Sequence, residues 1–188
     1  MPDARTYLSA RYLAPASPRP AMTESPALSH VDDQGHARMV DISHKPATAR
    51  TAVAAGRVIV GAESLRLIRE NEIQKGDVLT VSNVAGVLGA KQTSRLLPLC
   101  HDVVLQNVEI EFELDDEAGA VDVRAIVKTE GPTGVEMEAL TAVTIAALTV
   151  YDMCKSVTKD VEITNVRLLA KTGGRSGDYR RGTAPRNN

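Results

Sequence analysis

The chain has 188 residues, 43% of them hydrophobic and only 3% aromatic, with no Trp and a single Phe, Phe112. That length fits one domain with tails, and the core has to be built from Val, Ile, Leu and Ala. A formal net charge of -2 excludes the basic footprint of a non-specific nucleic-acid binder, while leaving room for a local site that selects an anion.

In chain order, residues 1–27 hold Pro2, Pro15, Pro18, Pro20 and Pro26, a composition too poor in packing residues to order itself. This stretch lacks an apolar signal core and reads as a disordered extension or as an upstream start ahead of Met22, with a weak transit peptide as the alternative. The body is 28–172, and 173–188 reads as a flexible Gly/Arg-rich tail. TARTAVAAGRVIV (48–60) is β-branched and small without helical period, so strand; AESLRLIREN (62–71) is a short helix; EIQKGD is a turn. VLTVSNVAGVLGAKQTSRLL (78–97) places Val81, Val84, Ala85, Leu88 and Leu96 at helical spacings, with Gly86 and Gly89 allowing close packing. VVLQNVEIEFEL (103–114) alternates, Val108, Ile110, Phe112 and Leu114 facing in and Glu109, Glu111 and Glu113 out; AVDVRAIVKTE (120–130) completes a hairpin. A long helix spans 135–157 and a last strand 160–172. The order β-α-α-β-β-α-β predicts an α+β ferredoxin-like sandwich, an antiparallel sheet with helices packed on one face. The other face is solvated or partnered, and an oligomer is expected.

No stretch approaches a membrane span of roughly 20 apolar residues. Cys100 and Cys154 form no CxxC pair and read as reduced thiols of a cytosolic protein.

On the long helix, Met137, Thr141, Leu148, Asp152, Lys155 and Lys159 fall near one line. Asp152 and Lys155 read in two ways. One is a surface ion pair worth about a few tenths of a kcal/mol, its last-turn lysines complementing the helix dipole. The other is a lysine shifted toward neutrality by burial against the apolar stripe and fit for general acid/base work. In GPTGVEMEALTA, Thr133 and Glu136 fit a capping box. That leaves Glu138 unexplained; a carboxylate pair there can grip the donor edge of a guanine-like ring. In LLPLCHDV, Cys100 and His101 follow the helix stop at Pro98, and the spacing of His30, His36 and His44 assembles no metal site with them. Lys75 precedes Gly76 in a tight turn, and Lys171 precedes a Gly-rich segment able to wrap phosphate, although no GxxxxGK[ST] loop is present.

Together, MVDIS (39–43), KGD (75–77), AGVLGAKQTSRLLPLCH (85–101), GVEMEALTAVTIAALTVYDMCKSVTKD (134–160) and VRLLAKTGGRSGD (166–178) closely resemble the cyclic pyranopterin monophosphate synthases, the molybdenum cofactor biosynthesis protein C family. The resemblance implies the same ferredoxin-like fold, a homohexamer built as a trimer of dimers, and active sites at the dimer interface; with the reduced thiols, a cytoplasmic location is expected. It implies a small-molecule nucleotide substrate, a cyclic dihydro-GTP, converted with release of pyrophosphate; no cofactor is expected, and the charge, ligand spacing and hydropathy given above call for no nucleic-acid partner, no protein-held metal and no membrane. Carried over residue by residue, Asp152, Lys155 and Lys75 are catalytic; Leu99, Cys100, His101, Met137 and Glu138, with Glu136 beside them, contact substrate. Arg50, Lys91 and Lys171 are phosphate contacts chosen by charge. A divalent metal assisting the triphosphate stays open. An RNA-recognition module on this fold needs exposed aromatics, which the inward phase of Phe112 denies it. A scaffold that lost catalysis would have no use for Lys75, His101, Asp152 and Lys155 together.

Overall fold

The computed structural model describes residues 36–182. The expected extension over 1–27 lies outside them, and the body is the unit that begins at Met39. Its elements are β1 (Thr48–Ile59), α1 (Ala62–Arg69), α2 (Val78–Lys91), the single turn α3 (Thr93–Leu96), β2 (Asn107–Asp115), β3 (Ala120–Gly131), α4 (Glu136–Cys154), β4 (Glu162–Thr172) and β5 (Tyr179–Arg180). The strands form one sheet in the order β2-β3-β1-β4-β5, every neighbouring pair antiparallel. The helices lie on one face, so the architecture is the ferredoxin-like α+β sandwich that the element order predicts. The short β5 falls inside the segment read as a tail, where Tyr179 and Arg180 pair with Lys171 and Ala170.

The core is aliphatic, as the composition requires. Every second residue of β1 from Ala52 to Val58 is buried, β3 supplies Val121, Val123, Ala125 and Val127, and α4 covers them with Ala139, Ala142, Val143, Ala146, Ala147 and Val150. Small residues set how close the layers come. A Cβ on Gly56 would stand 2.7 Å from Val143 Cγ1, so α4 can rest on β1 only because that position is bare. On β2 the expected alternation holds: Ile110 is buried, Val108, Phe112 and Leu114 are half-buried, and Glu109, Glu111 and Glu113 are exposed. The open sheet face carries Arg57 paired with Asp122 and Asp115 at 2.8 and 2.9 Å, and Arg124 with Glu111 at 3.0 Å.

Two sequence expectations give way here, and the second helix adds a feature of its own. Its apolar line is its outer face: Val81, Val84, Leu88 and Leu96 are exposed, and Val78, Ser82, Gly86, Gly89 and Ala90 are buried. The reason is steric. α2 packs so tightly on α4 that a Cβ on Gly86 would lie 3.0 Å from the Ala142 carbonyl, and one on Gly89 2.8 Å from Ile145, so only the small-residue face fits. The helix also breaks at Gln92, and buried Thr93 donates its hydroxyl back to Ala90 O at 3.0 Å. Finally, α4 is long and apolar enough to cross a membrane, by length and composition, contrary to the reading that no stretch approaches a span; half of that window is buried inside the protein, as in a core helix.

Candidate active site

The turn after α1 aims Lys75. Gly76 takes φ +100, its N–H closing on Ile73 O at 2.9 Å, and Asp77 caps α2 by accepting from Thr80 N at 2.9 Å. Because α2 runs back along α4, that turn meets the end of α4. There Lys75 Nζ donates to Asp152 Oδ2 and to the Asp152 backbone carbonyl, both at 2.7 Å. Lys155, the C-cap residue of α4, reaches Asp152 Oδ1 at 2.6 Å. One carboxylate therefore holds two ammonium groups, and all three predicted catalytic side chains meet.

The electrostatics run opposite to the expected tuning. The Lys155 ammonium, and then Lys75, hold the Asp152 carboxyl down at about 2. Asp152 in turn raises Lys155 above the ordinary lysine value. The stripe thought to bury Lys155 is itself exposed at Met137 and Leu148, so desolvation is too weak to favour the neutral amine.

The other predicted residues gather at the start of α4. The expected capping box is absent: Val135 is the N-cap with no side-chain bond, and Glu136 turns instead to Lys171 Nζ at 3.4 Å. Lys171 also donates to Ser176 Oγ in the Gly-rich loop. Arg50 spends two donors on the turn before α4, to Gly131 O at 2.9 Å and Pro132 O at 3.0 Å. Gly174, at φ +82, lies against the Arg50 guanidinium, so the Gly-rich segment wraps a cation. Glu138 is only 4% exposed, and burial, with Glu136 nearby, pushes its carboxyl up to about 7. Burial first, and then the charge of Glu138, raises the Cys100 thiol. His101 Nε2 faces Val40 O at 2.7 Å; a carbonyl only accepts, so this nitrogen carries the proton and Nδ1 stays available. Leu99 and Met137 are exposed near this end, and Lys91, exposed on the last turn of α2, is tied by no hydrogen bond or ion pair to either group.

The structure thus divides the predicted residues into two groups. At about 1.5 Å per residue, Glu136 and Asp152 stand roughly 24 Å apart along α4. Sequence reasoning missed Val40, whose backbone carbonyl gives no signal, and Tyr151 and Ser156, which line a cleft of about 410 Å³ with Lys75, Lys155 and Lys159.

These features define a ferredoxin-like α+β protein with a titratable cluster at each end of its central helix. The model described as the MoaC family matches residues 39–174. The chain is 56% identical over 159 residues to the cyclic pyranopterin monophosphate synthase of Salinibacter ruber, covering 85% of this chain and 94% of that one. It is 52% identical over 154 residues to the synthase of the same name from Thermoanaerobacter sp., covering 82% and 98%. It is also 47% identical over 168 residues to molybdenum cofactor biosynthesis protein 1 of Homo sapiens, covering 89% of this chain and 26% of that protein. The chain belongs to the MoaC family.

Proposed function

We propose that this chain converts a cyclic dihydroguanosine triphosphate into cyclic pyranopterin monophosphate, releasing pyrophosphate, as an early step of molybdenum cofactor biosynthesis. The observation that carries the reading is Asp152 bridging Lys75 and Lys155 in a chain whose relatives bear the synthase name. The guanine-derived ring must open and reclose as a pterin, which requires protons delivered to and removed from ring atoms. A lysine held above its usual pKa carries its proton but holds it tightly; substrate that excludes water or draws Asp152 away lowers that pKa and lets the amine donate and cycle. Lys155 is the acid/base and Asp152 its positioning partner. The ribose hydroxyl attacks the α-phosphate, and Lys75 and His101 stabilise the charge developing on departing pyrophosphate. Glu136 and Glu138 hold the guanine-derived edge; Arg50, Lys91 and Lys171 serve the phosphates.

One nucleotide cannot engage both clusters of a single chain across that helix. The reading therefore includes a two-fold dimer in which the Lys75–Asp152–Lys155 end of one copy meets the Glu136–Glu138–His101 end of the other, giving two composite sites, with three dimers assembling into a hexamer. The outward-facing Val81, Val84, Leu88 and Leu148, 44%, 64%, 57% and 49% exposed, supply apolar surface for that contact. Cys100 and Cys154 are not joined to each other, and this reading places the chain in the cytoplasm.

Pyrophosphate release from the cyclic dihydro-GTP substrate tests the activity: fast with the native chain, lost in Lys155→Ala with the oligomer intact. Mixing tests the composite site. Lys155→Ala and Glu138→Ala, each inactive, regain about a quarter of native turnover once their subunits exchange, because half of the random dimers carry one intact site. No recovery after proven exchange would place both groups in one chain's site and sink the two-fold arrangement.

A further inference from the structure

The cleft of about 410 Å³ beside Asp152 is lined by Lys75, Tyr151, Lys155, Ser156 and Lys159. Two of these residues belong to the catalytic cluster. Lys159 does not: the turn after α4, closed by Val157 N–H on Cys154 O at 2.9 Å, brings it back to the cleft, and among the described residues it has no ion-pair partner. Asp152 already takes Lys75 and Lys155, so the cleft is lined by three ammonium groups with one carboxylate beside it, and the third is unpaired among the described residues. The half-buried Tyr151 ring and the lysine stems form an apolar wall. Charge beside such a wall is screened less than on an open surface.

Resting on the function proposed above, we infer that this cleft is an anion subsite for a phosphoryl group, with Lys159 its main binding residue and the Tyr151 and Ser156 hydroxyls as further donors. The excess of two positive charges over Asp152 matches a doubly charged phosphoryl group. Such a group can accept from Lys159 and from the free N–H bonds of Lys75 and Lys155 without displacing Asp152. The shared chemistry covers two sources: the polyphosphate chain of the nucleotide and the pyrophosphate it loses.

The experiment is calorimetric titration of the full chain with inorganic pyrophosphate, with Lys159→Gln, Lys159→Arg and, at the far end of α4, Lys171→Gln. Lys159→Gln weakens binding about tenfold, the loss expected for one charge-assisted contact, and Lys159→Arg restores most of it. In turnover, Lys159→Gln raises KM with kcat within about twofold if the substrate's own chain sits in the cleft. A weaker pyrophosphate inhibition with KM unchanged assigns the cleft to the product. Native-strength pyrophosphate binding by Lys159→Gln overturns the inference, as does binding lost only in Lys171→Gln. Because binding is read without turnover, a chain that holds pyrophosphate through Lys159 yet releases none from the nucleotide refutes the activity and leaves the subsite standing.

Discussion

Glu138 and Asp152 are carboxylates on the same helix with opposite protonation behaviour. Glu138, buried, is raised to about 7, so the folded chain keeps its proton where the unfolded chain, near 4.5, has lost it. Stability from this group therefore falls as pH rises from about 4.5 and levels off above about 7, a swing of up to about 3 kcal/mol. Thermal unfolding of Glu138→Gln across that range should lose the slope, and above neutrality the variant should melt higher than native. Asp152 goes the other way. Its depressed pKa contributes stability that is present above the ordinary value of 3.8 and is lost as pH falls through about 2. Asp152→Asn should return the Lys155 ammonium toward its ordinary pKa, visible by NMR titration of the lysine ε position, and should abolish turnover; an unmoved Lys155 would mean another group holds it. The pairing of Asp152 with Lys155 was legible in the sequence from their spacing. The capture of Asp152 by Lys75, 77 residues away, was not, since only the resemblance put Lys75 in the site and no local pattern encodes that contact.

At the level of elements, periodicity told strand from helix, and alternation gave the inward face of β2. Gly86 and Gly89 marked the close packing of α2, while its large apolar side chains face outward because the α2–α4 contact admits only small residues. Gly86→Ala should cost about 1–3 kcal/mol, since its Cβ would meet both Ile110 Cδ1 and the Ala142 carbonyl, and only the side chain can give way. A drop in melting temperature is the readout. The capping box failed for a related reason: Glu136 fits the local motif, but Lys171, far along the chain, competes for it and wins.

For the whole molecule, the order of the elements up to β4 and the antiparallel ferredoxin-like class of the sheet were legible in the sequence, whereas β5 and the division of the site were not, because a helix wheel shows angular position and hides length. A charge placed on the outward apolar face tests how the halves are joined. Leu88→Glu should fold, elute as a smaller species on gel filtration and lose turnover, although Leu88 is roughly three helical turns from the catalytic cluster. Retention of the native oligomer and activity would remove α2 from the interface.

The central place of β1 also has a consequence in time. Its nearest sheet partner begins at Ala120, opposite Ile59, and its far end waits for Gly131, opposite Thr48; its other flank waits for β4. At about 5–20 residues per second, a ribosome that has finished β1 takes roughly 4–14 s to supply the whole of β3. Throughout that interval the strand at the middle of the sheet is a nascent ribbon with both edges open and nothing to zip against. Soluble yield is then governed by the pace of translation across residues 60 to 131, and a holdase that shields the emerging chain for those seconds should raise it without altering the finished fold.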